Sequence, residues 1–420
     1  MNEATILPIL LGEFQDKLAL LQSLTPRQTS FPYAPDKIKV AIGMRRSGKT
    51  YFLYQNILAL LANGIPLSQI LYINFEDDRL LPLTRTKLAN LIDAFYTLYP
   101  ENHDQKCYLF LDEIHNVEDW ALVVRRLHDS KRAEIFLTGS SAKLLSKEIA
   151  SSLRGRSLST EIWPFSFKEF LIAKKLVIDT HLFDKKTQDK LTKYFHEYLT
   201  IGGFPEVTNY ETDVRQATLQ SYIDIVIYRD IVERHNIQNT AVVKYMILNM
   251  LHNTSNFFSI NKFFNDLKSQ GYKVGKDMLY QYADYIEDSY LSFLIKLYDK
   301  SIRKVQTNPY KLYAVDSGMI RAVTLNHTGD LGKLFENIIY LELRRQNWHI
   351  YYYLTQERYE VDFLVENNKG DRKLLQVVWD MENKTTYDRE LRALEAAKKE
   401  LGIPGVIITL DSYLRSGLPT

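Results

Sequence analysis

The chain has 420 residues, and its 53 lysines and arginines nearly balance 51 acids, leaving a formal net charge of +2. That length is too great for one ordinary core and predicts roughly two or three domains. The charge balance excludes a globally basic surface, so any nucleic-acid contact must be local. A single cysteine, Cys107, excludes an intrachain disulfide and a cysteine zinc site. No basic-then-apolar leader and no apolar run of about 20 residues is evident, so the expectation is a cytoplasmic protein with no membrane span. The 28 tyrosines and 20 phenylalanines read first as core packing.

Residues 6–24 form an amphipathic stretch, followed by a polar link bearing Pro26, Pro32 and Pro35. Strands are then expected at 37–42, 69–75, 107–111, 134–138 and 157–163, with helices at 50–62, 87–99 and 117–129. Apolar strands alternating with helices predict a parallel sheet covered on both faces. From 165 to 240 the pattern is helical, broken at 201–205 (IGGFP). Short amphipathic helices follow at 242–251, 260–269 and 276–289, then strands at 291–298 and 311–315. Three helices and a hairpin make a winged-helix outline. A helix over 332–346 opens a separate α/β unit, with strands at 349–353, 361–365, 374–378 and 405–409 and a helix at 387–399.

Chemistry enters at residues 43–50. Gly43, Met44, Arg45, Arg46, Ser47, Gly48, Lys49 and Thr50 match GxxxxGK[ST], after an expected strand and before an expected helix, with Tyr51 next in line. Glycines let backbone N–H groups close around phosphates, and the helix N-terminus adds favourable dipole charge. Lys49 is expected to reach the β/γ-phosphates and the Thr50 hydroxyl to bind Mg²⁺. At 108–113 (YLFLDE) four apolar residues deliver Asp112 and Glu113 to a strand end, where ligands bind in such sheets. Asp112 suits a magnesium-bound water, and Glu113 suits the base that activates the attacking water. At 135–141 (IFLTGSS) a strand ends in Ser140 and Ser141, either near a γ-phosphate or as helix caps.

These motifs, in this order and with one strand (69–75) between the P-loop strand and the Asp-Glu strand, resemble an AAA+-type P-loop ATPase. More narrowly, the chain resembles a prokaryotic ATPase family that carries a C-terminal nuclease-like domain. The stretches behind that resemblance are 72–77 (YINFED), 153–156 (LRGR), 163–170 (WPFSFKEF), 202–206 (GGFPE), 228–232 (YRDIV) and 332–337 (GKLFEN). It implies an α/β chain: a P-loop parallel sheet with a helical lid, then a winged helix, then a small restriction-endonuclease-like α/β domain. The boundaries expected are 1–163, 164–240, 241–325 and 326–420. It also implies ATP and Mg²⁺ as ligands, self-association, and an arginine finger at Arg154 or Arg156, with Arg229 and Arg234 as rivals from the lid.

Glu336, Asp362 and Gln376 stand where the PD-(D/E)xK nuclease fold places its acids. That chemistry needs carboxylates for Mg²⁺ and a lysine beside the attacking water. Here the second acid is Gln376 and the lysine position is Val378, with Lys373 and Lys384 nearby. The expectation is therefore a degenerate nuclease fold used for binding or oligomerisation. Segment 241–315 interleaves Lys276, Arg303 and Lys304 with Asp277, Asp284, Glu287 and Asp288, which leaves either DNA or a protein as its partner. Three functions fit: a DNA-associated ATP-driven switch or motor, a signalling or defence switch on a protein partner, and an ATP-gated nuclease.

Overall fold

A computed structural model describes residues 2–21, 24–130, 133–139, 152–176, 184–324, 330–379 and 384–418, with backbone alone at 384–386. The chain forms two compact units, Met1–Trp163 and Pro164–Thr420. Among the described residues, no helix is long and apolar enough to cross a membrane.

The first unit begins with α1 (Glu3–Leu20), whose Asn2 cap accepts from the Thr5 N–H. There follow β1 (Ile38–Ile42), α2 (Lys49–Ala62), β2 (Ile70–Asn74), α3 (Arg85–Leu98), β3 (Cys107–Asp112), α4 (Trp120–Asp129), β4 (Ala133–Thr138) and β5 (Ser157–Glu161). The sheet runs β2-β3-β4-β1-β5 with every neighbouring pair parallel. In space it is β4 that lies between the P-loop strand and the Asp-Glu strand. Alternation splits the core: Leu71, Ile73, Leu109 and Leu111 pack on one side, Ile70, Tyr72, Phe110 and Phe136 on the other. Helices α3 and α4 cover the first side and α2 the second, while α1 gives Ile6 and Leu7 to one and Phe14 and Leu18 to the other.

The helix expected from 117 starts three residues later, at Trp120. Glu113 and Asp119 both sit at left-handed backbone angles, φ 52° and 53°, with one 3₁₀ turn between them at Ile114–Asn116. A helix cannot propagate through such residues, so the Asp-Glu strand end is followed by a kinked loop.

The second unit opens with α5 (Phe167–Ala173), α6 (Lys185–Ile201) and α7 (Thr212–Ile225), the last running on as a π-helical stretch, Val226–Glu233. Next come α8 (Thr240–His252), β6 (Phe257–Phe258), α9 (Ile260–Ser269), α10 (Lys276–Asp288), β7 (Ser292–Ile295), α11 (Ile302–Thr307), β8 (Tyr310–Ala314) and α12 (Ser317–Val323). Strands β6, β8 and β7 form a small antiparallel sheet in that order. The chain closes with α13 (Leu331–Arg345), β9 (His349–Leu354), β10 (Glu360–Glu366), β11 (Arg372–Val378), α14 (Lys384–Leu401), β12 (Gly405–Thr409) and α15 (Leu410–Ser416). Their sheet is ordered β12-β11-β10-β9; β9, β10 and β11 pair antiparallel, and β12 joins β11 in parallel across the α14 crossover.

The IGGFP break between helices is a docking point. The buried Asp316 carboxylate caps α12 at the Met319 N–H, 3.1 Å, and also accepts from the Gly203 N–H at 2.6 Å. A Cβ on Gly203 would fall 2.3 Å from the Phe165 carbonyl oxygen, and one on Gly202 2.2 Å from the Asp316 carboxylate. Glycine is required here for close approach.

Candidate functional site

Strand β1 ends at Ile42 and the loop 43–48 feeds directly into α2. Gly43, at φ +148°, has no room for a side chain: a Cβ would lie 2.3 Å from the Ile162 carbonyl oxygen beside it on the β5 side. Gly48 is left-handed at φ 98°, and Arg46 takes the same region at φ 66°. The buried Lys49 ammonium folds back over the loop and donates to the Gly43 and Met44 carbonyls, both at 3.1 Å. Ser47 Oγ is buried and, among the described residues, has no hydrogen-bond partner. The loop is braced from outside by Arg27, in the proline-bearing link, which donates to the Ser47 carbonyl at 2.9 Å and to the Trp163 carbonyl. Thr50 is half-buried at the start of α2, and Tyr51 is exposed one residue on. Arg45 lies 3.8 Å from Glu76 at the end of β2.

Asp112 is fully buried at the C-terminal end of β3. Thr138, the last residue of β4, donates its hydroxyl to Asp112 Oδ1 and accepts the Glu113 N–H at 2.8 Å. Tyr72 on β2 donates to Asp112 Oδ2 at 2.8 Å. The parallel ladder thus clamps the acid pair from both neighbouring strands. Glu113 Oε2 lies 3.3 Å from His115 Nδ1. Burial pushes the Glu113 carboxyl up to about 7; Lys49 and Arg45 oppose that rise while Asp112 and Glu76 add to it. A carboxyl poised there is matched to taking a proton at neutral pH.

The donor set fits a hydrated magnesium ion: a buried, oriented carboxylate at Asp112 and a hydroxyl at the start of α2, beside a loop of backbone donors. Ser140 and Ser141 lie outside the described residues. Sequence reasoning overlooked Thr138 and Tyr72. Thr138 is itself the last residue of the apolar run preceding Gly139, so the end of β4 carried a signal for it. Arg154 is exposed in a left-handed turn at φ 50°. Arg156 is engaged, its guanidinium meeting both Asp129 oxygens at 2.9 and 3.2 Å at the end of α4. In the second unit, Arg229 is exposed and Arg234 half-buried at the π-helical stretch.

The second unit brings Glu336, Asp362 and Gln376 together in a cleft of about 870 Å³, together with residues not anticipated. Lys311, from β8, is 2% exposed and reaches Glu336 at 2.8 Å, Glu360 at 2.6 Å and Asp362 at 2.9 Å. Tyr313 also donates to Glu336, at 2.6 Å. Gln376 accepts the Asp362 N–H at 3.1 Å and donates to Glu390 at 2.7 Å. Lys373 is not the lysine of this cluster, lying 5.8 Å from the Trp348 ring centre, and the Lys384 side chain lies outside the described residues. Val378 is buried. The signal for Lys311 was a lysine alternating with tyrosines inside an apolar strand (YKLYA), a position that forces an ammonium indoors. Burial pulls its pKa down, but the three carboxylates outweigh burial and hold it well above the ordinary lysine value. Burial likewise pushes the Glu336 carboxyl up, against the pull of Lys311. Among the described residues, no group of three or more His, Cys, Asp or Glu side chains is disposed to hold a metal ion. Lys311→Ala should therefore destabilise the second unit by about 3–5 kcal/mol, because it leaves buried carboxylates uncompensated. Denaturant unfolding followed by tryptophan fluorescence measures this, and a wild-type midpoint would refute the ion-pair description.

A GxxxxGKT loop between β1 and α2, with an acid pair at the end of β3 in a five-stranded parallel sheet, defines a P-loop ATPase fold. The family model for the AAA domain matches residues 35–171, and two models for domains of unknown function, DUF8612 and DUF4143, match 192–330 and 331–413. The uncharacterized protein MJ1544 of Methanocaldococcus jannaschii is 37% identical over 395 residues, 93% of this chain and 85% of that protein. An uncharacterized protein of Haemophilus influenzae is 30% identical over 371 residues, 88% of this chain and 89% of its own. Among solved structures, the Walker-type ATPase PABY2304 of Pyrococcus abyssi aligns with 73% of this chain and 99% of its own, at 15% identity and a TM-score of 0.45, too loose a likeness to argue from. The chain carries an AAA-type ATPase domain and belongs to the family of MJ1544 and the Haemophilus influenzae protein.

Proposed function

We propose that this chain binds ATP with Mg²⁺ and hydrolyses its terminal phosphoanhydride. The observation that carries the proposal is the convergence, within one sheet, of the Lys49 loop and the Asp112–Glu113 strand end clamped by Thr138. The backbone donors of 43–48 and the Lys49 ammonium bind and orient the phosphates, with Arg45, Arg46, Ser47 and Tyr51 around them. Thr50 and Asp112 would hold Mg²⁺, which when bound neutralises charge on the β- and γ-phosphates. Glu113 takes the proton of the attacking water.

The transition state also needs positive charge on oxygens that Lys49 does not cover. Arg154 is the candidate, supplied to a neighbouring subunit, because Arg156 is held by Asp129. Arg229 and Arg234 are the alternatives in cis. In the second unit we read residues 164–240 as a lid, 241–325 as a winged helix and 326–420 as a degenerate nuclease-like domain. The helices α8–α10 with the β6-β8-β7 sheet support the winged helix, and the αβββαβ order of α13–β12 supports the nuclease-like domain. The Lys311 ion pairs occupy the carboxylates that nuclease chemistry would need, which favours a binding role, with DNA the partner proposed and a protein the alternative.

The test is ATP turnover per subunit across a dilution series, with and without DNA at one salt concentration. Mg²⁺-dependent turnover that rises with DNA and falls on dilution is the expected result. Constant turnover down to the monomer would reject Arg154 in trans, and DNA indifference in both turnover and binding would favour the protein partner. Absence of turnover in every condition would defeat the ATPase reading.

A further inference from the structure

Both oxygens of Asp112 are already taken by donors. Thr138 holds Oδ1, and the Tyr72 hydroxyl holds Oδ2 at 2.8 Å. Tyr72 reaches it because β2 and β3 pair in parallel with Tyr72 opposite Phe110 and Asn74 opposite Asp112. That register puts residue 72 on the same face as residue 112, one pleat back, within the span of a phenol. Tyr72 is in turn the acceptor for the buried Tyr54 hydroxyl of α2, at 3.0 Å. Lys17 of α1 lies against Tyr54, its ammonium 5.1 Å from the Tyr54 ring centre. Phe14, one turn before Lys17 on α1, stacks on Tyr72 with ring centres 4.7 Å apart and planes 21° apart.

The hydroxyls run in one direction: Tyr54 donates to Tyr72, and Tyr72 donates to the carboxylate of Asp112, which only accepts. Helix α1 ends at Leu20, before the matched AAA segment begins at 35. We propose that Tyr72 is a positioning residue that fixes the Asp112 carboxylate for magnesium, and that α1 orients it through Lys17, Tyr54 and Phe14, so that the N-terminal helix is part of the nucleotide site. The inference rests on the reading of Asp112 as the magnesium carboxylate. Mg²⁺ demands near-ideal octahedral geometry and keeps several waters, so its protein acceptors must be held in place. Hydrogen bonds behind a metal-holding carboxylate ordinarily set metal affinity by about 10–100-fold.

The bland alternative is that a buried phenol needs any acceptor and Asp112 happens to supply one. The two differ in what they predict for magnesium. Binding of a fluorescent ATP analogue to the full chain is titrated in EDTA and across a magnesium series, for wild type, Tyr72→Phe and Lys17→Met. Tyr72→Phe should bind the analogue in EDTA about as wild type does, while the magnesium concentration giving half of the metal-dependent gain rises about tenfold. Lys17→Met, an exposed change that spares the core, should shift it the same way by less. Wild-type magnesium dependence in folded Tyr72→Phe overturns the proposal. So does a wild-type response in Lys17→Met, should Tyr72→Phe not fold. If wild type itself binds the analogue equally with and without magnesium, the assignment of Asp112 fails, and the inference falls with it for that separate reason.

Discussion

Replacing Lys49 by alanine is expected to lower ATP affinity and turnover together, by at least about a hundredfold in turnover. The buried ammonium is turned into the loop, where it donates to two carbonyls of its own turn, Gly43 and Met44. A phosphate oxygen carries a negative charge that a carbonyl lacks, so the ammonium gains an ionic attraction there that it does not have on the carbonyls. Alanine leaves the backbone donors and the more peripheral Arg45, Arg46 and Ser47. It also removes the positive charge that opposes the upward shift of Glu113, so the base is weakened in a second way: more of it stays protonated at neutral pH. The loop's shape comes from Gly43, Gly48 and the Arg27 brace, so the variant should fold. Equilibrium binding of a fluorescent ATP analogue and a phosphate-release assay measure the two losses. Wild-type turnover in folded Lys49→Ala protein would remove the loop from the mechanism.

Glu113→Gln separates binding from chemistry. The amide keeps the shape and loses the base, so ATP affinity should hold while turnover falls by roughly 10²–10⁴-fold. Stability should move the other way. The Glu113 carboxyl is raised from 4.5 to about 7 by burial, so the native state binds a proton that the unfolded chain has released between those values. Stability from this group is therefore present below pH 4.5, is lost as pH rises to about 7, and stays lost above. Glutamine is never charged, and Glu113→Gln should melt above wild type at pH 7.5 but close to it at pH about 4.5. By the same shift, wild-type kcat/KM should show a rising limb near pH 7, where the free base ionises. A variant that binds no ATP, or hydrolyses it normally, would give Glu113 another role.

The nucleotide site was legible because its parts are local. The turn 43–50 carries its glycines, lysine and hydroxyl in one unbroken run, and Asp112 and Glu113 follow four apolar residues that can only be a buried strand. Strand alternation likewise announced both faces of the sheet, since Leu71 and Ile73 face away from Ile70 and Tyr72 in any pleated strand. Helix ends were less legible. The late start of α4 depends on left-handed Glu113 and Asp119, residue types that tolerate but do not demand that conformation.

What local pattern could not reveal was partnership across the chain. Thr138 reaches Asp112 because β4 lies beside β3, and Tyr72 reaches it because β2 lies on the other side in one particular register. Lys311 meets Glu336, Glu360 and Asp362 across 25 to 51 residues of chain, on elements that read separately as a hairpin strand, a helix and a strand. Spacing leaves Val378 at the lysine position, and the lysine that these carboxylates meet is Lys311, from β8. Chemistry carried by consecutive residues is written in their order, because backbone geometry alone brings them together. Chemistry assembled from distant side chains depends on strand order, register and the cost of burying charge, which the folded chain as a whole must satisfy.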